Sequence, residues 1–188
     1  MKSKLTLMLL ALTYGGAALA HPGHDQGAMA GLLHPLTGID HILAMLAVGL
    51  WGAQLGGRAQ WLLPASFVGF LAAGGALGMS GAALPMVEAG IATSVLLLGL
   101  LIGFAVKLKT LPAALIVGGF AVFHGYAHGV EMPAVGSAWL YGVGFVAASA
   151  ALHGVGLGLG RALRADSGWL RAGGGVISLA GMWLGMAA

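Results

Sequence analysis

The chain has 188 residues, of which 59% are hydrophobic and 7% are charged, and its formal net charge is +3. Soluble domains carry about 25% charged residues, so this composition excludes a soluble monomeric enzyme and a disordered regulator. The chain has no cysteine, which excludes disulfides, cysteine-based zinc sites and iron–sulfur clusters. Glycine is abundant, at 35 residues, and in so apolar a chain this favours closely packed membrane helices.

The N-terminal segment has the pattern of a secretory signal peptide. Two lysines begin it, an apolar run follows, and Ala-Leu-Ala at 18–20 comes directly before polar His21. Cleavage is therefore predicted after residue 20, which makes residues 1–20 the signal peptide and 21–188 the mature chain. The alternative is a retained first transmembrane helix, for which the apolar run is short.

Six apolar segments follow, each near the 20 residues that a membrane span requires. They are residues 35–56, 61–80, 86–106, 111–131, 136–160 and 169–187. The loops between them are short, so successive helices are expected to pack antiparallel. The predicted fold is all-α: a polytopic membrane protein with six transmembrane helices in one domain.

The basic residues predict the orientation of these spans. With the mature N-terminus outside, the inner loops are those after spans one, three and five. They hold every Lys and Arg outside the signal peptide: Arg58, Lys107, Lys109, Arg161, Arg164 and Arg171. This agrees with the positive-inside rule. It predicts the cytoplasmic (inner) membrane, with both mature termini on the periplasmic side.

Two further patterns concern the packing of the spans. Small residues four apart predict close helix contacts, at Gly154/Gly158, Gly156/Gly160 and Gly181/Gly185. Tryptophans near predicted span ends are typical of the aromatic belts at the membrane surface, and here they are Trp51, Trp61, Trp139 and Trp169.

The first span carries three candidate metal ligands. His34 precedes a proline suited to the first helical position, and Asp40 and His41 follow in the same apolar segment. His34 and His41 are seven residues apart, so in one helix they share a face. Met45, one turn inward from His41, could add a thioether.

The fourth span carries a second set. His124, His128 and Glu131 are spaced i, i+4 and i+7, which places them on one helical stripe. Ionisable residues within spans are costly and usually functional. The two sets are expected at similar depths in the outer third of the membrane, and Glu88, at the outer start of span three, is near this level.

Several imidazoles with carboxylates suit a borderline divalent ion such as Ni²⁺, Co²⁺, Zn²⁺ or Cu²⁺. The alternative is that each histidine only forms hydrogen bonds between helices, and for the isolated His153 we favour that interpretation. His21 and His24, in the polar segment after the signal peptide, could capture the ion outside the membrane.

Two motifs resemble those of the HupE/UreJ family of nickel and cobalt transporters. His34 to His41 (HPLTGIDH) is similar to that family's H-x5-D-H motif, and Phe123 to Glu131 (FHGYAHGVE) is similar to its F-H-G-x-A-H-G-x-E motif. The resemblance implies a permease that brings Ni²⁺, or Co²⁺, across the cytoplasmic membrane, often for maturation of hydrogenase or urease. By this resemblance, the expected metal ligands are His34, Asp40, His41, His124, His128 and Glu131.

Three alternatives to a permease remain open. One is an intramembrane metal-dependent hydrolase, although Gly125 stands where H-E-x-x-H has its glutamate. The others are a membrane protein that binds metal without transporting it and a haem protein with histidine ligands. We expect that the protein is not an enzyme and that it has no tightly bound cofactor. The expected partners are a divalent transition-metal ion and the lipid bilayer, with a homo-oligomer left open and nucleic acid excluded because no basic stripe is present.

Overall fold

The computed structural model describes residues 26–132, 137–164 and 167–187. In these ranges it forms α1 (Gln26–Leu33), α2 (Ile39–Leu55), α3 (Ala59–Met79), α4 (Val87–Gly103), α5 (Thr110–Val130), α6 (Ala138–Ala162) and α7 (Ser167–Ala187), with a 3-10 turn over His34–Leu36. These ranges contain no strand, which confirms the all-α prediction. The predicted signal peptide, with His21 and His24 after it, lies outside the described residues.

Helices α2 to α7 coincide with the six apolar segments of the sequence. In the described ranges, α3, α5 and α6 are each long and apolar enough to cross a membrane. Residues 27–36 and 39–55 meet this criterion as a pair, and they are bent by 78° at the break between them. Helix α4 is apolar but has 17 residues. Three to four helices of this kind support a multi-pass membrane protein.

Helix α2 lies at the centre of the bundle. It packs against α3, α4 and α6, while α3 packs on α5, α4 on α7 and α1 on α6. Met45 and Trp51 of α2 are fully buried, as are Phe67 of α3 and Leu98 of α4. A polar side chain on α2 can therefore contact neighbouring helices within the buried interior of the bundle.

Glycines set the close approach of α2 to α6. A Cβ atom at Gly156 would collide with the backbone of Leu46, and one at Gly49 would collide with the backbone of α6. The predicted contact at Gly156 is thus confirmed. For Gly154 and Gly158 the prediction is wrong, because a Cβ atom there meets open space. Residues two positions apart in an α-helix lie on nearly opposite faces. Helix α2 packs against the face of α6 that carries Gly156, so the face that carries Gly154 and Gly158 is left uncovered.

Trp51 also differs from its predicted place in an aromatic belt. Its side chain is fully buried, and its Nε1 donates a hydrogen bond to the carbonyl of Val106 at 3.2 Å. This bond to the segment between α4 and α5 holds the indole inside the bundle. Trp61, Trp139 and Trp169 are exposed near the starts of their helices, and for them the aromatic belt stays a prediction.

Candidate metal centre

The centre is built on the buried face of α5, where His124 and His128 lie one turn apart. Glycines on the adjoining face press α5 against α3. A Cβ atom at Gly125 would collide with the carbonyl of Leu71, and one at Gly129 would collide with the backbone of α3 one turn further on. This packing leaves the histidine face of α5 directed toward α2.

His34 reaches the centre through a bend rather than along α2. It begins the 3-10 turn, which contains Pro35. The hydroxyl of Thr37 donates to the carbonyl of His34 at 2.7 Å, and the Thr37 amide donates to the same oxygen at 3.0 Å. Gly38 is extended, and α2 begins at Ile39. The expectation of one continuous helix from residue 35, with His34 and His41 on a shared face, is therefore wrong.

Three imidazoles meet at the interior of the centre. His41 Nε2 lies 3.2 Å from His124 Nδ1 and in direct contact with His128 Nε2. All three side chains are buried, with exposures of 4%, 0% and 7%. Nitrogens bound to one transition metal at about 2.0–2.1 Å stand roughly 3 Å apart. The spacing of His41 and His124 matches that of two ligands on one ion. We call these three residues the inner triad.

Asp40 sets the protonation pattern of His41. Its carboxylate oxygen Oδ2 lies 3.2 Å from His41 Nδ1, within hydrogen-bonding distance. A carboxylate has no hydrogen to give, so the proton is on Nδ1, and Nε2 of the neutral ring presents a lone pair to the inner triad. Ligating histidines commonly donate their second N–H to a carboxylate in this way.

A second group lies at the end of α5. His34 Nε2 donates to Glu131 Oε2 at 3.3 Å, and His128 Nδ1 is 3.8 Å from the same oxygen. The ligand atoms of His34, His128 and Glu131 all lie within 4.8 Å of one another. The Glu131 side chain is 58% exposed and that of His34 is 28% exposed. We call these three residues the outer triad; His128 belongs to both triads.

Aromatic rings enclose the two triads on the side of α6. The ring of Phe145 lies 4.3 Å from that of His128, centroid to centroid, and the ring of Tyr141 lies 5.8 Å from that of His34. Sequence reasoning missed both residues, although their i, i+4 spacing on an apolar segment was visible. It also missed Ser94, a buried residue of α4 whose Oγ lies 2.7 Å from His124 Nε2.

Three further candidates lie outside the two triads. Met45 is buried in the core, and its carbonyl accepts a hydrogen bond from His153 Nδ1 at 2.9 Å, as expected for a histidine that links helices. His153 Nε2 has no hydrogen-bond partner among the described residues. Glu88 is exposed at the start of α4, and no described contact joins it to either triad. A ligand role for Met45, Glu88 and His153 stays a prediction.

Comparison with known proteins gives two matches that span nearly the whole chain. The model of a protein family described as HupE / UreJ protein matches residues 7–184. Protein HupE from Rhizobium leguminosarum bv. viciae is 49% identical over 182 residues, which cover 95% of this chain and 95% of that protein. No solved structure matches the chain significantly. Both matches include every helix that contributes to the inner and outer triads.

Proposed function

The chain belongs to the HupE/UreJ family, and on that premise we propose that it imports Ni²⁺, or Co²⁺, across the cytoplasmic membrane for maturation of a metalloenzyme such as hydrogenase or urease. The family consists of transport proteins rather than enzymes. The observation that carries the proposal is the inner triad: three buried imidazoles meet at one point between apolar helices, with a carboxylate behind one of them. Imidazole nitrogens suit Ni²⁺ and Co²⁺ better than they suit Mg²⁺ or Ca²⁺.

The two triads are two successive positions for the ion. The outer triad is partly exposed and contains the Glu131 carboxylate, so it receives a hydrated cation first. The inner triad is buried and offers nitrogen donors. His128 directs Nδ1 toward Glu131 and Nε2 toward His41. An ion can therefore pass from one triad to the other without losing His128 as a neighbour.

The basic residues support entry from the outside. Helix α5 runs from Thr110, next to Lys109, to the end that carries the outer triad. Arg161 donates a hydrogen bond to Gln60 at 2.8 Å, and Arg171 donates one to the carbonyl of Gly103 at 2.9 Å. Arg161, in the last turn of α6, thus lies beside the start of α3. Arg171, near the start of α7, lies beside the end of α4. Both are away from the triads. By the positive-inside rule, the triads face the periplasm.

The complete topology is part of the proposal. We propose six spans, corresponding to α2 to α7, after removal of residues 1–20, with both mature termini on the periplasmic side. A divalent ion then enters toward a negative interior, and this potential contributes about 2.3 kcal/mol per elementary charge per 100 mV.

The test is uptake of radiolabelled Ni²⁺ and Co²⁺ by cells that lack their own importers, with each ion as competitor of the other. His41→Ala, His124→Ala and His128→Ala should each abolish uptake while the protein still reaches the membrane. His153→Gln is the matched control, because it replaces a buried histidine outside the triads and keeps a donor for the Met45 carbonyl.

The outcomes separate a permease from its alternatives. Uptake by the parent protein that is lost in the three triad variants and retained in His153→Gln supports the proposal. Metal binding by the purified protein without uptake in cells would overturn transport in favour of a non-transporting metal-binding protein. Chelator-sensitive hydrolysis of a peptide or lipid would instead favour the metallohydrolase.

A further inference from the structure

Ser94 is a buried polar residue of α4 that contacts the inner triad. Its side chain is completely buried within the apolar helix. The Oγ atom makes two close contacts: 2.6 Å to the carbonyl oxygen of Ile91 and 2.7 Å to Nε2 of His124. Both are hydrogen-bond distances, and each needs a hydrogen between its two heavy atoms.

Counting hydrogens decides which atom donates in each contact. A serine hydroxyl has one hydrogen, and a carbonyl oxygen has none. The contact with Ile91 therefore uses the hydroxyl hydrogen of Ser94. The hydrogen in the contact with His124 must then come from Nε2, which donates to Oγ. In the neutral ring of His124 this leaves Nδ1 as the nitrogen with the free lone pair.

The neighbouring ring of His41 also has its hydrogen on the nitrogen that faces away from His124. Asp40 holds the hydrogen of His41 on Nδ1, so Nε2 of His41 carries a lone pair. The lone pairs of His41 Nε2 and His124 Nδ1 then face each other across 3.2 Å, with no hydrogen to place between them. Two facing lone pairs repel each other unless a cation lies near both.

We propose that Ser94 is a positioning residue of the inner triad: it holds the hydrogen of His124 on Nε2, so that Nδ1 is the nitrogen that binds the ion. This inference rests on the proposed transport of Ni²⁺ or Co²⁺ and adds a residue of α4 to the site. Asp40 and Ser94 act alike, each fixing one ring from behind. Residues of this kind typically change metal affinity by about 10- to 100-fold when they are removed.

Loss of the hydroxyl has a defined consequence. In Ser94→Ala, Nε2 of His124 loses its acceptor in a buried environment, which is unfavourable for an N–H group. The hydrogen then shifts to Nδ1, where it can donate to His41 Nε2 and occupy the space that the ion needs. Ser94→Thr retains the hydroxyl and should retain the parent arrangement.

The first measurement is NMR of the purified, metal-free full chain with ¹⁵N-labelled histidine, the His124 signals being identified by their loss in His124→Asn. We expect the Nε2–H form of His124 in the parent protein and in Ser94→Thr, and the Nδ1–H form in Ser94→Ala. Ser178→Ala is the matched control. Ser178 is a buried serine of α7 that donates to the carbonyl of Gly174 at 2.8 Å, and its removal should leave His124 unchanged.

The second measurement is calorimetric titration of the same proteins with Co²⁺. Ser94→Ala should bind Co²⁺ about 10- to 100-fold more weakly than the parent, whereas Ser94→Thr and Ser178→Ala should bind it within a few-fold of the parent. An Nδ1–H form of His124 in the parent protein, or parent-like Co²⁺ affinity in Ser94→Ala, would overturn the role of Ser94. An Nε2–H form in a parent protein that fails to take up nickel would overturn the proposed function and leave the tautomer assignment standing.

Discussion

His41 Nε2 of α2 and His124 Nδ1 of α5 face each other at 3.2 Å, although 83 residues separate them in the chain. The two rings are nearly perpendicular, at 82°. Each ring is held from its far side, His41 by the Asp40 carboxylate and His124 by the Ser94 hydroxyl. The pair is thus fixed before an ion arrives, which lowers the cost of ordering ligands on binding.

The inner and outer triads should respond differently to mutation. His124→Ala removes a buried ligand nitrogen of the inner triad, so uptake should be lost at every nickel concentration. His34→Ala and Glu131→Gln alter the exposed position, and they should raise the nickel concentration for half-maximal uptake by about tenfold. Initial uptake rates measured over a wide range of nickel concentration distinguish the two responses. Equal loss at all concentrations in all three variants would contradict two successive positions.

Asp40→Asn tests the charge behind His41. The amide oxygen can still accept the hydrogen bond from Nδ1, so the ring orientation is kept while the negative charge is removed. Co²⁺ affinity of the purified protein should fall by about 10- to 100-fold. Parent-like affinity would mean that the carboxylate orients His41 without stabilising the cation.

Gly125→Ala tests the packing that directs α5 toward α2. The new Cβ atom would collide with the Leu71 carbonyl, and overpacking of this kind costs about 1–3 kcal/mol. Thermal unfolding in detergent should begin at lower temperature, and nickel uptake should fall. Gly119→Ala is the control on the same helix, since a Cβ atom there meets nothing within 4 Å. Parent-like stability in Gly125→Ala would contradict the close contact between α3 and α5.

The proposed topology can be mapped with single cysteines, because the chain has none of its own. Ala83, between α3 and α4, and Lys107, between α4 and α5, are both exposed. Ala83→Cys should react with a membrane-impermeant maleimide in intact cells, whereas Lys107→Cys should react only after the cells are opened. The reverse pattern would place the triads on the cytoplasmic side.

Processing gives an independent check of the N-terminus. The protein isolated from membranes should begin at His21, as the Ala-Leu-Ala pattern at 18–20 predicts. N-terminal sequencing or intact-protein mass measures this directly. An intact Met1 would contradict cleavage and would favour the retained transmembrane helix.

Much of the candidate site could be predicted from the sequence because its ligands come from two short segments. Within α5, the spacing of His124, His128 and Glu131 fixes their common face by helical geometry alone. Within the first segment, Asp40 and His41 are neighbours in the chain, so their contact needs no tertiary packing. The conclusion that both sets lie toward the end of the bundle opposite the basic residues also followed from chain direction and charge.

Residues far apart in the chain could be joined only by the tertiary structure. A lone serine in an apolar helix has no pattern that marks it, so Ser94 enters the site only because α4 packs beside α2 and α5. The position of His34 depends on a 78° bend. The spacing rule for a helix assumes a straight axis, so it does not predict this position. Sequence determined the candidate ligands, the apolar segments and the family motifs, because these depend on local periodicity and composition. Tertiary structure decided which nitrogens face one another, because their positions depend on how closely the helices pack through their glycine residues.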